Sequence, residues 1–146
     1  MRINRQFRYL ACLSAAVVAS LVVGLAVAAD NPVVLNTKDL KWEKCGDPPW
    51  DVCQRSILRG DRTTEPSDHL MRFPKGFKFE RHWHDNPENL ILTEGSMVIV
   101  FENGTEQTVR PGGYIRIPAN VPHWGSCPDG CTFYLGLTGV DSYYNK

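Results

Sequence analysis

Short runs of apolar residues, separated by turn-forming residues, fill the chain from residue 54 onward. No helical period of useful length appears among them, and closely spaced short runs with turn punctuation are typical of a β-sandwich or β-barrel. The pattern therefore predicts an all-β domain over residues 54–140. The predicted strands are residues 56–59, 69–73, 77–84, 89–93, 97–102, 107–110, 114–117 and 132–137.

The clearest local feature is a hairpin around Asn103-Gly104. An apolar run at residues 98–101 precedes this pair, and a second extended run begins at Gln107. Asn-Gly is favoured in a type I′ turn, because both central residues of that turn need a positive φ. We therefore predict a hairpin closed by a type I′ turn at these two residues.

The first 29 residues have the composition of a secretory signal peptide. Three arginines precede an apolar run at residues 10–29, the run ends in small residues, and no acidic residue comes before Asp30. Cleavage after residue 28 or 29 would give a secreted or periplasmic protein. The alternative is an uncleaved membrane anchor, since the run is close to the ~20 residues that a spanning helix needs.

The remainder of the chain, residues 30–146, carries 13 basic and 16 acidic residues. It shows neither a basic patch suited to nucleic acid nor a polybasic segment suited to an anionic membrane. Contact with a membrane is therefore expected only through the signal segment, if that segment is not cleaved. Residues 30–53 have no clear period and contain Pro48-Pro49, which predicts an irregular N-terminal extension, and residues 141–146 are predicted to form a C-terminal tail.

Four cysteines follow the signal segment, and an even number in an exported chain indicates disulfide bonds. Four cysteines allow three pairings. We favour Cys45–Cys53 together with Cys127–Cys131, because the turn between the last two brings their flanks close enough to bridge. A four-cysteine zinc site is the alternative, although neither spacing is the two-residue spacing usual for such sites.

The candidate chemistry lies in the few histidines of the chain. His82 and His84 are two residues apart, so on a strand they share one face, and a turn at residues 85–87 can bring Glu88 back over them. Imidazole and carboxylate groups together are ligands for iron, manganese, nickel, copper or zinc. Each residue alone is unremarkable, so the prediction depends on the wider spacing.

That spacing is similar to the first motif of the cupin family. The stretch Gly76-x5-His82-x-His84-x3-Glu88-x6-Gly95 matches the motif at every fixed position. The stretch Gly112-x5-Pro118-x-Asn120-x2-His123-x3-Cys127 resembles the second motif, but Asn120 replaces a glycine and Cys127 replaces an asparagine that is not a metal ligand in the family. Asparagine tolerates the left-handed backbone best among residues with a side chain, so Asn120 is expected to preserve the turn.

The resemblance implies a small antiparallel β-barrel with a metal site inside it. It also implies that His82, His84, Glu88 and His123 hold one divalent transition metal ion, which is Fe, Mn, Ni, Cu, Co or Zn. Many cupins form dimers, and a homodimer is therefore a candidate assembly. A small-molecule ligand is the expected partner. Its candidate contacts are His69, Arg72, Tyr114, Arg116 and Tyr134, and Trp50 and Trp124 are candidates for closing the mouth of the barrel.

Three functions are compatible with these residues. The first is a metal-dependent enzyme, such as an oxygenase acting on a small organic molecule. The second is a non-enzymatic protein that binds a small ligand or senses a metal. The third is a metal-independent sugar isomerase or epimerase, which would use a histidine and a tyrosine for proton transfer. The complete set of four ligands counts against the third.

Overall fold

The computed structural model of the protein describes residues 31–145, and the predicted signal segment lies outside these residues. Two single-turn 3₁₀ helices, Thr37–Asp39 and Trp50–Val52, accompany the strands. The strands of this part of the chain are β1 (Glu43–Lys44), β2 (Gln54–Arg59), β3 (Ser67–Phe73), β4 (Phe77–His82), β5 (Glu88–Gly95), β6 (Met97–Phe101), β7 (Glu106–Val109), β8 (Tyr114–Ile117), β9 (His123–Cys127) and β10 (Cys131–Leu137).

The strands form two antiparallel sheets, which confirms the all-β prediction. The first sheet has the order β1-β2-β3-β10-β5-β8, and the second has the order β4-β9-β6-β7. Within residues 31–145, strand pairing leaves the two sheets separate and does not join them into one closed sheet. The short strand β1 belongs to the predicted irregular extension and pairs along the edge of β2.

Strand β9 was not among the predicted strands, although it carries one of the predicted ligands. Its sequence gives little strand signal, because Gly125 and Ser126 interrupt any apolar alternation. The glycine is required by packing: a Cβ atom at Gly125 would lie 2.0 Å from the carbonyl oxygen of Val98 on β6. The close approach of the two backbones requires a glycine here, and this glycine interrupts the alternation by which a strand is predicted.

The predicted hairpin joins β6 to β7, but its turn is not type I′. Among the non-glycine residues described, only Asn120 has a positive φ, so Asn103 does not, whereas Gly104 has a φ of 82°. The backbone amide of Gly104 donates to the carbonyl of Phe101 at 2.9 Å, and the Phe101 amide donates to Thr105. This is a three-residue loop with the glycine in the left-handed conformation. Such a loop needs one residue with a positive φ, whereas a type I′ turn needs two.

Aromatic side chains from both sheets meet in the core. Phe73 of the first sheet packs against Phe77 and Phe79 of the second, with ring centroids 4.7 and 4.8 Å apart. Trp50 contacts Phe73 from the N-terminal extension, at 6.2 Å between ring centroids. Such rings bury large apolar areas, and their tilted and edge-to-face arrangements are favourable. The cluster fixes the separation of the two sheets, between which the candidate site lies.

Both predicted disulfides, Cys45–Cys53 and Cys127–Cys131, are present, each with 5.4 Å between its Cα atoms. The first closes the loop that carries Trp50, and the second joins the end of β9 to the start of β10. Two disulfides in a chain of this size are typical of proteins that fold in an oxidising environment. No helix within residues 31–145 has the length and apolar character needed to cross a membrane.

Candidate metal centre

Strand ends bring the predicted ligands together. His82 is the last residue of β4 and lies directly opposite His123, the first residue of β9. Glu88 is the first residue of β5 in the other sheet, and His84 lies in the connection from β4 to β5. Two ligands therefore come from one sheet, one from the other, and one from the segment between them. All four side chains are buried.

The distances within this group suit a single ion. One ring nitrogen from each of His82, His84 and His123 lies within 4.8 Å of the others. The Nε2 atom of His84 is 3.2 Å from Oε1 of Glu88, and the Nε2 atom of His123 is 3.7 Å from Oε2. Ligand atoms about 2.1 Å from one metal ion and at right angles to each other lie about 3.0 Å apart, so these separations are compatible with a shared ion.

Hydrogen bonds determine which ring nitrogen faces the centre. Each of the three histidines places its Nδ1 atom against a backbone carbonyl, which can only accept a hydrogen bond, so Nδ1 carries the proton. The acceptors are the carbonyl oxygens of Glu80 (2.7 Å from His82), Val121 (2.9 Å from His123) and Ser142 (bonded to His84). The Nε2 atoms consequently present lone pairs to the centre, which is the arrangement seen for histidines that ligate metals.

The donor set fits a bound cation. The buried Nε2 atom of His84 has no hydrogen-bond partner among residues 31–145, even though Glu88 is close by. Lone pairs on nitrogen and on an ionised carboxylate repel one another at this distance unless a proton or a metal ion lies between them. An unpartnered buried nitrogen is costly in a folded protein. A metal ion held by His82, His84, His123 and Glu88 would remove both penalties, and imidazole with carboxylate suits a divalent transition metal.

Burial controls the protonation of these groups. It lowers the pKa of His82 to about 3, with a further contribution from the charge of His123, and it lowers the pKa of His123 to about 4. It raises the pKa of Glu88 to about 7, against the influence of His84. Burial disfavours charge in each case. The imidazoles of His82 and His123 are thus neutral and ready to bind a metal at neutral pH, whereas Glu88 is the group from which a metal must displace a proton.

A family comparison matches the same segment of the chain. The model of the cupin domain covers residues 69–133, which include all four predicted ligands and most of both sheets. Solved structures of similar fold include a cupin described as RmlC-like from Shewanella frigidimarina, with 19% identity and a TM-score of 0.61 over 73% of this chain and 89% of that one. This chain contains a cupin domain.

Two enzymes are among the structures that share the fold of this cupin. The polyketide cyclase RemF from Streptomyces resistomycificus is 21% identical, with a TM-score of 0.65 over 77% of this chain and 83% of that one. The DMSP lyase DddQ from Ruegeria pomeroyi is 14% identical, with a TM-score of 0.61 over 80% of this chain and 72% of that one. No curated protein matches the chain. At these identities the comparison supports the fold alone.

A cavity of about 270 Å³ opens beside the four predicted ligands of this cupin. All four predicted ligands line it, and so do Trp50 and Trp124, which were predicted to lie at the mouth. The rest of its wall is mostly apolar. The apolar residues include Met71, Phe79, Leu90, Ile99, Phe133 and Leu135. The cavity therefore offers a small organic molecule an apolar compartment with the polar ligand cluster on one side.

Four of the predicted ligand contacts do not line this cavity. Glu88 pairs with Ile117, and both side chains are buried, so the alternate residues on these strands face outward. The hydroxyl groups of Tyr114 and Tyr134 donate to neighbouring polar side chains, Asn89 and Asp68 respectively, on that outer side. Arg116 is exposed on β8, and the Arg72 guanidinium lies 4.0 Å from the ring centroid of Trp42.

His69, the fifth predicted contact, is buried but does not line the cavity either. Its side chain is 1% exposed, and its Nε2 atom is 2.8 Å from the hydroxyl oxygen of Ser67. The other ring nitrogen is buried and has no partner within the described part of the chain. Burial lowers the pKa of His69. This histidine is thus a buried residue of the first sheet, separate from the group of three.

Several residues at the cavity were not predicted from the sequence. Arg55, Arg62, Asp141 and Tyr143 line it, and the last two come from the predicted C-terminal tail. The Arg62 guanidinium donates to Asp141 at 2.9 Å. No periodicity marks these positions, since Arg55 lies inside β2 and the other three lie in the β2–β3 connection or after β10. The adjacent tyrosines at residues 143 and 144 are the one sequence signal that could have indicated an ordered C-terminal segment.

Asn120 supports the candidate metal centre through its backbone. It has a φ of 59°, which confirms the left-handed turn predicted there, and its amide donates to the carbonyl of His84 at 2.7 Å. We expect Asn120→Ala to lower the free energy of unfolding by about 1–2 kcal/mol, because alanine is strained in this conformation. Asn120→Gly should stay within about 1 kcal/mol of the parent, because glycine adopts it freely. Urea unfolding of both variants measures the effect. Equal losses of unfolding free energy in the two variants would contradict the role of the left-handed backbone at this position.

Proposed function

We propose that this cupin is a metal-dependent enzyme that acts on a small, largely apolar organic molecule. The proposed cofactor is one divalent transition metal ion held by His82, His84, Glu88 and His123. The observation that carries the proposal is the convergence of three Nε2 lone pairs and one carboxylate on the wall of an apolar cavity. An exported location belongs to the proposal, and the two disulfides support it.

The cavity supports a particular class of substrate. Its volume of about 270 Å³ suits a molecule of roughly one or two rings, and its wall is rich in aromatic and aliphatic side chains. Apart from Glu88, the charged groups at the wall are Arg55 and the Arg62–Asp141 ion pair. We therefore expect a compact apolar body that carries an oxygen atom directed at the ligand cluster.

The protein's own residues would bind and shield this molecule. The apolar wall would hold its body, the phenyl rings of the core would exclude water, and the Nδ1 bonds would keep the imidazoles in one orientation. A metal at this site would polarise a substrate oxygen or lower the pKa of a bound water molecule, or take part in oxygen chemistry if it is redox-active. We favour an oxygenase. The names of two structural neighbours, a cyclase and a lyase, favour a redox-neutral reaction as the second candidate.

Elemental analysis followed by an activity screen tests this function. We expect the purified protein to hold about one transition metal ion per chain and to consume oxygen with at least one small aromatic or alicyclic compound that carries an oxygen group. The His84→Ala variant should hold little metal and show no turnover.

Each other outcome selects a different function. Product formation without oxygen uptake would select the redox-neutral reaction. Recovery of every compound unchanged by metal-loaded protein would favour a binding or sensing role. Turnover that persists under strict chelation would contradict metal dependence. It would favour the metal-independent isomerase or epimerase instead.

A further inference from the structure

Residues 141–144 cross directly over the segment that carries two of the proposed ligands. Trp83 and Tyr144 form an isolated antiparallel bridge, in which the Trp83 amide donates to Tyr144 at 3.0 Å and the Tyr144 amide donates back at 3.1 Å. Their rings also stack, with centroids 5.9 Å apart. The hydroxyl of Tyr144 donates to Asp85 at 2.7 Å. We call residues 141–144 the C-terminal strap.

The strap contacts both neighbouring histidines. The carbonyl of Ser142 accepts the hydrogen bond from Nδ1 of His84, and its hydroxyl accepts from the Asp85 amide at 2.8 Å. The ring of Tyr143 stacks on the ring of His82, with centroids 4.7 Å apart and planes 24° apart. It also meets His84 edge-on at 5.9 Å. One side of the strap therefore forms a wall for two of the three imidazoles.

The other side of the strap is anchored independently of these rings. The Asp141 amide donates to the carbonyl of Arg62 at 2.7 Å, and the two side chains form an ion pair. Just before the strap, the Asn86 amide group donates to the carbonyl of Val140 at 3.0 Å. At Gly139 an added Cβ atom would lie 2.4 Å from Oδ1 of Asn86, so this amide group packs directly against the backbone of Gly139. Several contacts thus hold the strap in a single position.

The three histidines depend on the strap to different extents. Nδ1 of His82 and Nδ1 of His123 each bond to a carbonyl two residues earlier in the chain, so local strand geometry orients both rings. Nδ1 of His84 instead bonds to Ser142, which is 58 residues away in sequence. Without Ser142, nothing else described here would hold the His84 proton on Nδ1 and leave its Nε2 free to bind a metal.

We propose that the C-terminal strap positions His84 and His82 for metal binding, through the Ser142 carbonyl and the Tyr143 ring. This inference rests on the proposed metal site, since it concerns the orientation of two of its ligands. Ser142 and Tyr143 are positioning residues, because they act through the imidazoles. The strap also closes one side of the cavity with the Tyr143 ring, which packs edge-on against Trp50 at 5.2 Å.

Removal of residues 141–146 is the direct test, with Zn²⁺ alone as the probe. We expect the affinity for Zn²⁺, measured by competition with a chelator, to fall by about 10–100-fold, which is the loss typical when the hydrogen-bond partner of a ligand is removed. In ¹⁵N NMR spectra of the metal-free protein, His84 should lose its single Nδ1–H tautomer, whereas His82 and His123 should keep theirs. A folded truncated protein that binds Zn²⁺ as tightly as the full chain would overturn the proposal.

A point substitution decides the matter if the truncated protein does not fold. Tyr143→Ala removes the ring and is expected to weaken Zn²⁺ binding by about tenfold, whereas Tyr143→Phe keeps the ring and should stay within about twofold. Equal affinities for these two variants and the parent would overturn the proposal. If the full chain itself binds no Zn²⁺ or other transition metal, the proposed function fails, but the tautomer of His84 still reports whether the strap positions that ring.

Discussion

Replacing His123 by alanine should abolish tight metal binding. His123 is 3% exposed and lies opposite His82, so its removal leaves three of the four proposed ligands facing the centre. Changes to the hydrogen-bond partner of a ligand typically cost about 10–100-fold in affinity, and loss of a ligand itself should cost more. We therefore expect the affinity for Zn²⁺ or Co²⁺ to fall by more than about 100-fold.

A second buried histidine provides the matched control. His69→Gln changes a histidine that is even less exposed, but its ring lies outside the group of three and bonds to Ser67. Metal content by elemental analysis and affinity by chelator competition should match the parent in His69→Gln and collapse in His123→Ala. Circular dichroism of both variants separates loss of binding from loss of fold. Full metal content in folded His123→Ala would refute the proposed ligand set.

Most of the candidate ligand group could be located from sequence because three of its members lie close together along the chain. His82 and His84 are two residues apart, and a three-residue turn separates His84 from Glu88, so short-range geometry can bring these groups together. His123 needed the family resemblance, since β9 has no strand pattern of its own. The left-handed turn at Asn120 followed from the known tolerance of asparagine for positive φ.

The substrate side of the site was not predictable in the same way. Which face of a strand a residue occupies depends on register, and register shifts occur between Phe79 and His82 and between Thr132 and Phe133. A shift of one residue exchanges the inner and outer faces, so Tyr134 lies outside although its neighbour Phe133 lines the cavity.

Contacts between distant segments were also invisible in the sequence. Tyr143 reaches His82 only because the chain returns from β10 across the β4–β5 connection, and Trp50 reaches the cavity through the disulfide loop. Residue type alone made Trp50 a candidate for the cavity mouth, and both side chains lie outside the strands, so no strand period could place them. The cavity therefore combines a ligand group fixed by local spacing with walls contributed by segments near both ends of the described chain.

Replacing Glu88 by glutamine should weaken metal binding and remove one source of its pH dependence. A carboxylate ligand must be ionised, and burial raises the pKa of Glu88 from 4.5 to about 7. In the parent, each pH unit below about 7 should therefore lower metal affinity by about tenfold through this group. In Glu88→Gln that component disappears, so the slope of log affinity against pH between 5 and 7 should decrease by about one. At pH 8 the metal affinity of the variant should be lower than that of the parent by more than about 100-fold, because the variant lacks the charged ligand.

The same substitution should stabilise the metal-free protein. Because folding raises the pKa of Glu88, its protonated form favours the native state, and this contribution is complete below about pH 4.5 and is lost as the pH rises through about 7. Above pH 7 the ionised, buried Glu88 destabilises the metal-free fold, so neutral glutamine should raise the free energy of unfolding by on the order of 1–3 kcal/mol. Glu94→Gln, an exposed change on the same strand that keeps an acceptor for the Thr132 hydroxyl, should leave stability and the pH slope close to those of the parent. Urea unfolding of chelator-treated protein at pH 5 and pH 8 measures the effect. A Glu88→Gln variant less stable than the parent at pH 8 would mean that the ionised carboxylate is satisfied without a metal.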